Sequence, residues 1–463
     1  MSHQALLYSR SHDESYLQSL HEFLRIPSIS TLPEAEPAIQ AAARWLAGAM
    51  TDIGLQRVAA MPTAGYPVVY GEWLGAGPHA PTLLYYGHYD VQPVDPVDEW
   101  LSPPFEPTVR NQQLFCRGAS DDKGQVYLVL AAIDSYLRTE GRLPVNLKVM
   151  IEGEEEISSP SLAAWVKEHQ PMLACDAVLI CDSGILAENM PLINHGTRGM
   201  AYMQVDVQGP ATDLHSGGFG GAVDNPFNVL VRILAQLHDG ETRRVLIPGF
   251  YDNVAPPDAL EQRLLAQVPV SDQVIQALTG APAVAGEAGY TAAERLTVRP
   301  TLDIHGMPGG FTGEGKKTVI PARASAKVSM RLVPDQDPAE IAALFERYVR
   351  SLAPSTVKVA VRTLGLARWS LVDLHHPAVQ AAAQAYQAGF DVAPLFMRGG
   401  GTLPIVADFQ DTLGVPVVMM GFGLPDDNAH APNEKLSLNL FRRGIETVIH
   451  YLALLPEAMQ APR

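Results

Sequence analysis

His88 and Asp90 stand two residues apart at the end of an apolar run, Pro81-Thr-Leu-Leu-Tyr-Tyr-Gly-His-Tyr-Asp90. In an extended strand that spacing puts both side chains on one face. Imidazole is the commonest transition-metal ligand among side chains, and a neighbouring carboxylate can fix its tautomer and orientation. Alone, such a pair at a strand end is a weak signal and is more often structural than a metal site. Further acids recur at comparable places. Asp121 lies in Gly118-Ala-Ser-Asp-Asp-Lys-Gly124, where Ser120 or Asp121 could simply cap the following helix. Glu152-Gly-Glu-Glu-Glu156 follows a second apolar run, and Asp182 follows a third. Three adjacent acids are ordinarily a solvated turn, but at the end of a buried strand their self-repulsion calls for a cation. His430 sits in Asp426-Asp-Asn-Ala-His-Ala-Pro-Asn-Glu434, after the last expected strand. Mixed nitrogen and oxygen donors suit zinc, manganese or cobalt better than magnesium or calcium. Carboxylates able to bridge point to two ions about 3.5–4 Å apart, an arrangement that activates water for amide hydrolysis.

The elements that must position these residues alternate in period. Helices are expected through Tyr16–Leu24 and Ala38–Ile53, and strands at Pro81–Asp90, Val145–Ile151 and Asp176–Cys181. Between the strands, helices are expected near Gly124–Leu137 and Ser161–Glu168. This alternation predicts an α/β fold, a mostly parallel sheet flanked by helices. Ligands in such sheets bind at the carboxyl ends of the strands, which is where the acids fall. From about residue 200 the grammar changes to period-two strands at Ala201–Val207 and Arg323–Val333, with a helix near Pro226–Leu237. Residues 240–315 are rich in Pro, Gly and Ala. Helix and strand alternation returns at Ala378–Ala388, Pro416–Met420 and Leu440–Leu454. An inserted α+β domain is therefore expected over 200–372, between catalytic segments 1–199 and 373–463. His375 and His376 fall at the return crossing, where hinge or cap roles are expected.

Composition narrows the class of partner. Against 50 Asp and Glu there are 33 Lys and Arg, a formal charge of −17, and no basic cluster of the kind nucleic acid requires. Three cysteines in 463 residues fit buried thiols in a reducing compartment better than a disulfide framework. No apolar run approaches the roughly 18 residues of a membrane helix. The first residues lack the basic and apolar regions of a secretory signal. The expectation is a cytoplasmic protein with neither a nucleic-acid nor a membrane partner.

Four ordered motifs then resemble one family along nearly the whole chain: Gly87-His-Tyr-Asp-Val-Gln-Pro93, Ser102-Pro-Pro-Phe-Glu-Pro107, Arg117-Gly-Ala-Ser-Asp-Asp-Lys-Gly124 and Asp213-Leu-His-Ser-Gly217. They are similar to those of the co-catalytic zinc peptidases that include aminoacylase, carboxypeptidase G, acetylornithine deacetylase and carnosine dipeptidase, and most of all to the dipeptidase branch. The resemblance implies that Asp121 bridges two zinc ions, with manganese or cobalt as substitutes. His88 and Asp182 would complete one site, Glu156 and His430 the other. Glu155 would be the general base and Asp90 the partner that orients His88. The family pattern E-G-x-E-E sets this register on Glu152–Glu156; a shift by one would make Glu154 the base. His215 would stabilise the oxyanion, reaching in with Thr318 from the inserted lid and dimerisation domain of a second subunit. Arg331 would anchor the substrate carboxylate beside Gly400, Gly401 and Thr402, while Gly399 stands where related dipeptidases often carry an acid. The implied activity is hydrolysis of dipeptides or small peptides by water activated at two zinc ions. The alternative is deacylation of N-acyl amino acids.

Overall fold

The computed structural model describes residues 2–460, which fall into two units. The first comprises residues 1–195, 372–397 and 405–463, and the second 196–371 and 398–404. Residues 398–404, expected with the returning catalytic segment, thus group with the second unit.

The first unit is built on an eight-stranded sheet, in the order Gln56–Met61, Val68–Trp73, Asn146–Glu152, Thr82–His88, Ala177–Ile180, Val417–Met419, Leu192–Asn194 and Leu395–Met397. Its centre is parallel: Thr82–His88 runs between Asn146–Glu152 and Ala177–Ile180, and Ala177–Ile180 pairs with Val417–Met419. The fold is α/β with a mixed, mostly parallel sheet. Leu83, Leu84, Tyr85 and Tyr86 are all buried, the near-continuous apolar run of a strand covered on both faces. Register opposes His88 to Glu152 and Tyr86 to Ile180, so three chain segments leave the sheet on the same edge. The helices Lys123–Glu140, Pro377–Phe390 and Leu438–Gln460 pack on one another beside it. His376 caps the second of these, its Nδ1 accepting from Ala378 N–H. The two opening helices expected from periodicity are preceded by a third, Ser2–Ser11. A small antiparallel sheet joins Thr108–Arg110, Gln113–Phe115 and Lys435–Ser437, linking the unit's first and last chain segments.

The second unit holds a four-stranded antiparallel sheet in the order Thr301–Gly306, Arg323–Leu332, Gly199–Gln208 and Lys358–Ala367. Ala201, Met203, Val205 and Val207 alternate inward, against a core shared with helices Pro226–Ala235 and Pro338–Ser351. Strictly alternating burial in Gly199–Gln208 is the pattern of a sheet covered on one face. The Pro-, Gly- and Ala-rich stretch contains short helices, Ala259–Leu265, Asp272–Thr279 and Ala292–Thr297, started by Asp258, Ser271 and Thr291 as side-chain caps. Among the described residues no helix is long and apolar enough to cross a membrane. Cys116, Cys175 and Cys181 are free thiols.

The start of helix Lys123–Glu140 is packed backbone to backbone against the turn before it. A Cβ on Gly124 would stand 1.9 Å from the carbonyl oxygen of Ala119. Gly124→Ala is expected to destabilise the first unit by about 1–3 kcal/mol, the range for overpacking. Urea denaturation measures this; an unchanged midpoint would show that the turn yields freely.

Candidate active site

The parallel strands deliver the chemistry to one edge. His88 ends its own strand, Asp182 lies two residues past Ile180, and Glu155 and Glu156 start a single 3₁₀ turn just past Glu152. His88 is fully buried, and its Nδ1 faces Asp90, 3.3 Å from Oδ1 and 3.1 Å from the carbonyl oxygen. Its Nε2 is 3.1 Å from Asp121 Oδ1 and 3.7 Å from Asp182 Oδ2. His430 approaches from the loop after Val417–Met419, its Nε2 2.9 Å from Asp121 Oδ2 and 3.2 Å from Glu156 Oε2. Asp121 therefore turns one oxygen toward each histidine.

Two groups of ligand atoms result, His88 with Asp121 and Asp182, and Asp121 with Glu156 and His430; within each, the atoms lie within 4.8 Å of one another. Each offers an imidazole nitrogen and two carboxylates, a donor set that fits zinc-class ions. The residues around them are themselves fixed. Asp90, fully buried, accepts from Glu155 N–H at 3.2 Å and Glu156 N–H at 3.0 Å besides facing His88. Gln92 Nε2 donates to Glu156 Oε2 at 2.8 Å. Asp122 Oδ2 accepts from the backbone N–H of His88. Glu154 is turned elsewhere, its carboxylate filling the space over the backbone of Gly65.

Burial and neighbouring charges displace the titration of the site's groups in different directions. Burial pulls the His88 imidazole down, but hydrogen bonds to Asp121 and Asp90 and the charge of Asp182 reverse this, leaving it well above its ordinary value. Burial pushes Asp182 up to about 7, opposed by His88 and reinforced by Asp121 and Glu156. Burial works the same way on Asp121, yet hydrogen bonds from His430 and His88 hold its carboxyl well below the usual range. Burial, with the charges of Asp182, Glu156 and Asp121, lifts Glu155 well above an ordinary carboxylate against the pull of His88.

The remaining residues singled out in the sequence lie in the second unit, in two groups. Leu214–His215 pairs with Val319–Ile320, and Ser216 N–H donates to Thr318 O, so His215 and Thr318 are neighbours. His215 is exposed, and its Nδ1 accepts from Gly217 N–H at 2.9 Å, which places the proton of a neutral ring on Nε2. In the other group Arg331 Nη1 donates to Thr402 Oγ1 at 2.5 Å. Arg198 spans the glycine run, Nε donating to Gly400 O at 2.7 Å and its backbone N–H to Gly401 O at 3.0 Å. A Cβ on Gly400 would meet Leu296 O at 2.9 Å, so the run must lack side chains there to seat against that helix. Gln92 and Arg198 are additions from the structure: Gln92 lies inside the Gly87–Pro93 motif and Arg198 in none, and only the tertiary contacts show what each holds.

With this geometry in view, the profile of peptidase family M20/M25/M40 matches residues 84–454, and the chain belongs to that family. It is 34% identical over 456 residues to the Cys-Gly metallodipeptidase DUG1 of Candida albicans, covering 94% of each protein. It is 33% identical over 450 residues to the Beta-Ala-His dipeptidase of Rattus norvegicus, covering 93% of this chain and 90% of that one. Among solved structures, the di-peptidase Dug1p of Saccharomyces cerevisiae superposes with a TM-score of 0.87 at 30% identity, over 100% of both chains. The resemblance seen in the sequence motifs, to the dipeptidase branch, stands.

His430 carries a pH consequence. Hydrogen bonds to Asp121 and Glu156 raise its imidazole to about 10, so at neutral pH without a cation it is protonated. A metal ion must displace that proton, a cost that shrinks as pH rises towards the raised value. Affinity at this group is expected to grow by up to about tenfold per pH unit between 6 and 9. Calorimetric titration of zinc into metal-free protein, in buffers of different ionisation enthalpy, should report net proton release at pH 7. No release would show that the imidazole is already neutral.

Proposed function

We propose that this chain is a di-metal dipeptidase, cleaving the amide bond of small peptides with free C-termini. The observation that carries the reading is Asp121, whose two oxygens address His88 and His430 separately. His88, Asp121 and Asp182 would hold one ion, and Asp121, Glu156 and His430 the other, the ions being zinc, with manganese or cobalt as substitutes. Bound there, divalent cations supply Lewis acidity that polarises an amide carbonyl and acidifies water.

The chain's own residues do the rest. Glu155 takes the proton from water and passes it to the leaving amine; burial beside other acids raises its carboxyl, as a base working near neutral pH requires. Asp90 holds His88 and the backbone of Glu155 and Glu156 in one register. Nε2–H of His215 donates to the developing oxyanion. Arg331, steadied by Thr402, takes the substrate carboxylate in a planar two-point contact, and the N–H groups of Gly400 and Gly401 line the same place. The second unit is read as a lid and dimerisation domain, with His215 and Thr318 serving the site of a partner in a homodimer. The setting is read as cytoplasmic. The relatives named above are dipeptidases, and this favours peptides over N-acyl amino acids as substrates.

Glu155→Gln is expected to keep its metal content and lose about 10²–10⁴-fold in turnover. A panel of dipeptides against N-acetyl and N-succinyl amino acids, with and without chelator, tests the substrate class; faster turnover of acylated amino acids would sink the dipeptidase reading. Cross-subunit action has its own test. Glu155→Gln and His215→Ala proteins should each be nearly inactive, and mixing them after subunit exchange should restore activity through heterodimers. Failure to restore it, with exchange confirmed by mass, would place His215 in its own subunit's chemistry.

A further inference from the structure

Glu434, the last residue of the His430 loop, is among the most thoroughly engaged side chains of the first unit. It is 1% exposed. Its Oε1 accepts from Ser120 N–H at 2.9 Å and Asp121 N–H at 3.0 Å. Its Oε2 accepts from Gly118 N–H at 2.9 Å and from Arg117 Nη1 at 2.7 Å. Arg117 is equally buried, donates through Nη2 to Pro93 O, and lies over the ring of Trp100. Backbone pairing sets this up: Lys435 is in register with Phe115, and Cys116 N–H donates to Glu434 O. One carboxylate thus gathers the whole turn that presents Asp121.

The same loop is pinned a second time at its other end. Asp427 Oδ2 accepts from Ser120 Oγ at 3.0 Å and from Leu424 N–H at 2.7 Å, and Asp427 O accepts from Lys435 N–H. Between these anchors Asn428, His430 and Asn433 have φ of 56°, 64° and 62°, a left-handed backbone that Asn and His enter more readily than other residues with side chains. Three such turns fold the segment back between its two anchors. His88 and Asp182, by contrast, are carried at or just past the ends of sheet strands and touch neither anchor.

We infer that Glu434, assisted by Asp427, is a positioning residue that locks the Asp121 turn to the His430 loop and thereby sets the affinity of the Asp121, Glu156 and His430 position for its ion. This rests on the two-cation reading above. The position beside His88 and Asp182 shares only Asp121 with the clamp and depends on it less. Glutamine at 434 keeps the volume, but its amide must turn NH₂ toward one pair of donors, losing two acceptor contacts and the charge opposite Arg117.

The test is zinc binding by metal-free protein, followed by chelator competition and by elemental mass spectrometry, with melting curves of the metal-free forms. Wild type should bind two equivalents. In Glu434→Gln one equivalent should weaken about 10–100-fold and the other by less than about threefold, the range for residues that orient metal ligands. The weakened equivalent should be the one that His430→Ala abolishes. Two equivalents held as in wild type, or both weakened alike, would overturn the inference. Should Glu434→Gln not fold, Ser120→Ala removes only the link to Asp427 and should weaken the same equivalent to a smaller extent; no change would be equally fatal. A wild type that binds fewer than two equivalents would instead overturn the two-cation reading and this inference with it.

Discussion

Self-repulsion among buried carboxylates is the constraint that the rest of the first unit answers. Asp90, Asp121, Asp122, Glu152, Glu155, Glu156 and Asp182 converge on one edge of a sheet whose interior is apolar. Taking such charges out of water is costly unless each finds a counter-charge or donors. The solutions differ by position. Asp90 and Asp122 draw on backbone N–H groups, Asp121 and Glu156 on imidazoles, and burial lifts the carboxyls of Asp182 and Glu155 above the usual carboxylate range. A cation in either ligand group would relieve several of these at once, and so the arrangement is best understood as a frame built for charge it must receive.

Parallel topology is what makes the convergence possible. Strands running the same way release their carboxyl ends on one edge, and distant sequence segments meet there without long excursions. Antiparallel pairing takes over where precise register matters: the hairpin sheet at Gln113–Phe115 and Lys435–Ser437 joins the turn bearing Asp121 to the loop bearing His430. In the second unit an antiparallel sheet carries Arg331, and a brace from Arg198 holds the glycine run beside Thr402.

The central strands of the first unit were legible because burial on both faces leaves a plain apolar run, and because the acids just past those runs are chemically conspicuous. His88, Asp121, Asp182 and His430 could be singled out by type and place, Glu156 only through the family pattern across three adjacent glutamates, and the structure brings their donor atoms together. What escaped has physical reasons. The helices within 240–315 are short, start from local caps and sit among prolines, so no long periodicity marks them. Lys358–Ala367 lies at a sheet edge with a register shift opposite Tyr202 and Met203, which breaks its alternation. Glu434 and Gly118 are 316 positions apart, a contact that no local pattern encodes.

The chain enters the second unit through Gly196–Thr197 and leaves it through Ser370–Leu371, and these two segments pair with each other, Thr197 opposite Ser370. Entry and exit are therefore neighbours, which is the geometry of a piece that could be inserted into, or removed from, the first unit with little disturbance. Residues 398–404 complicate that geometry. They belong to the inserted unit but are encoded in the returning host segment, and they carry the glycines and threonine that meet Arg198 and Arg331. The insert is thus a module in two parts, and any exchange of it between relatives succeeds only if the short second part travels with the first.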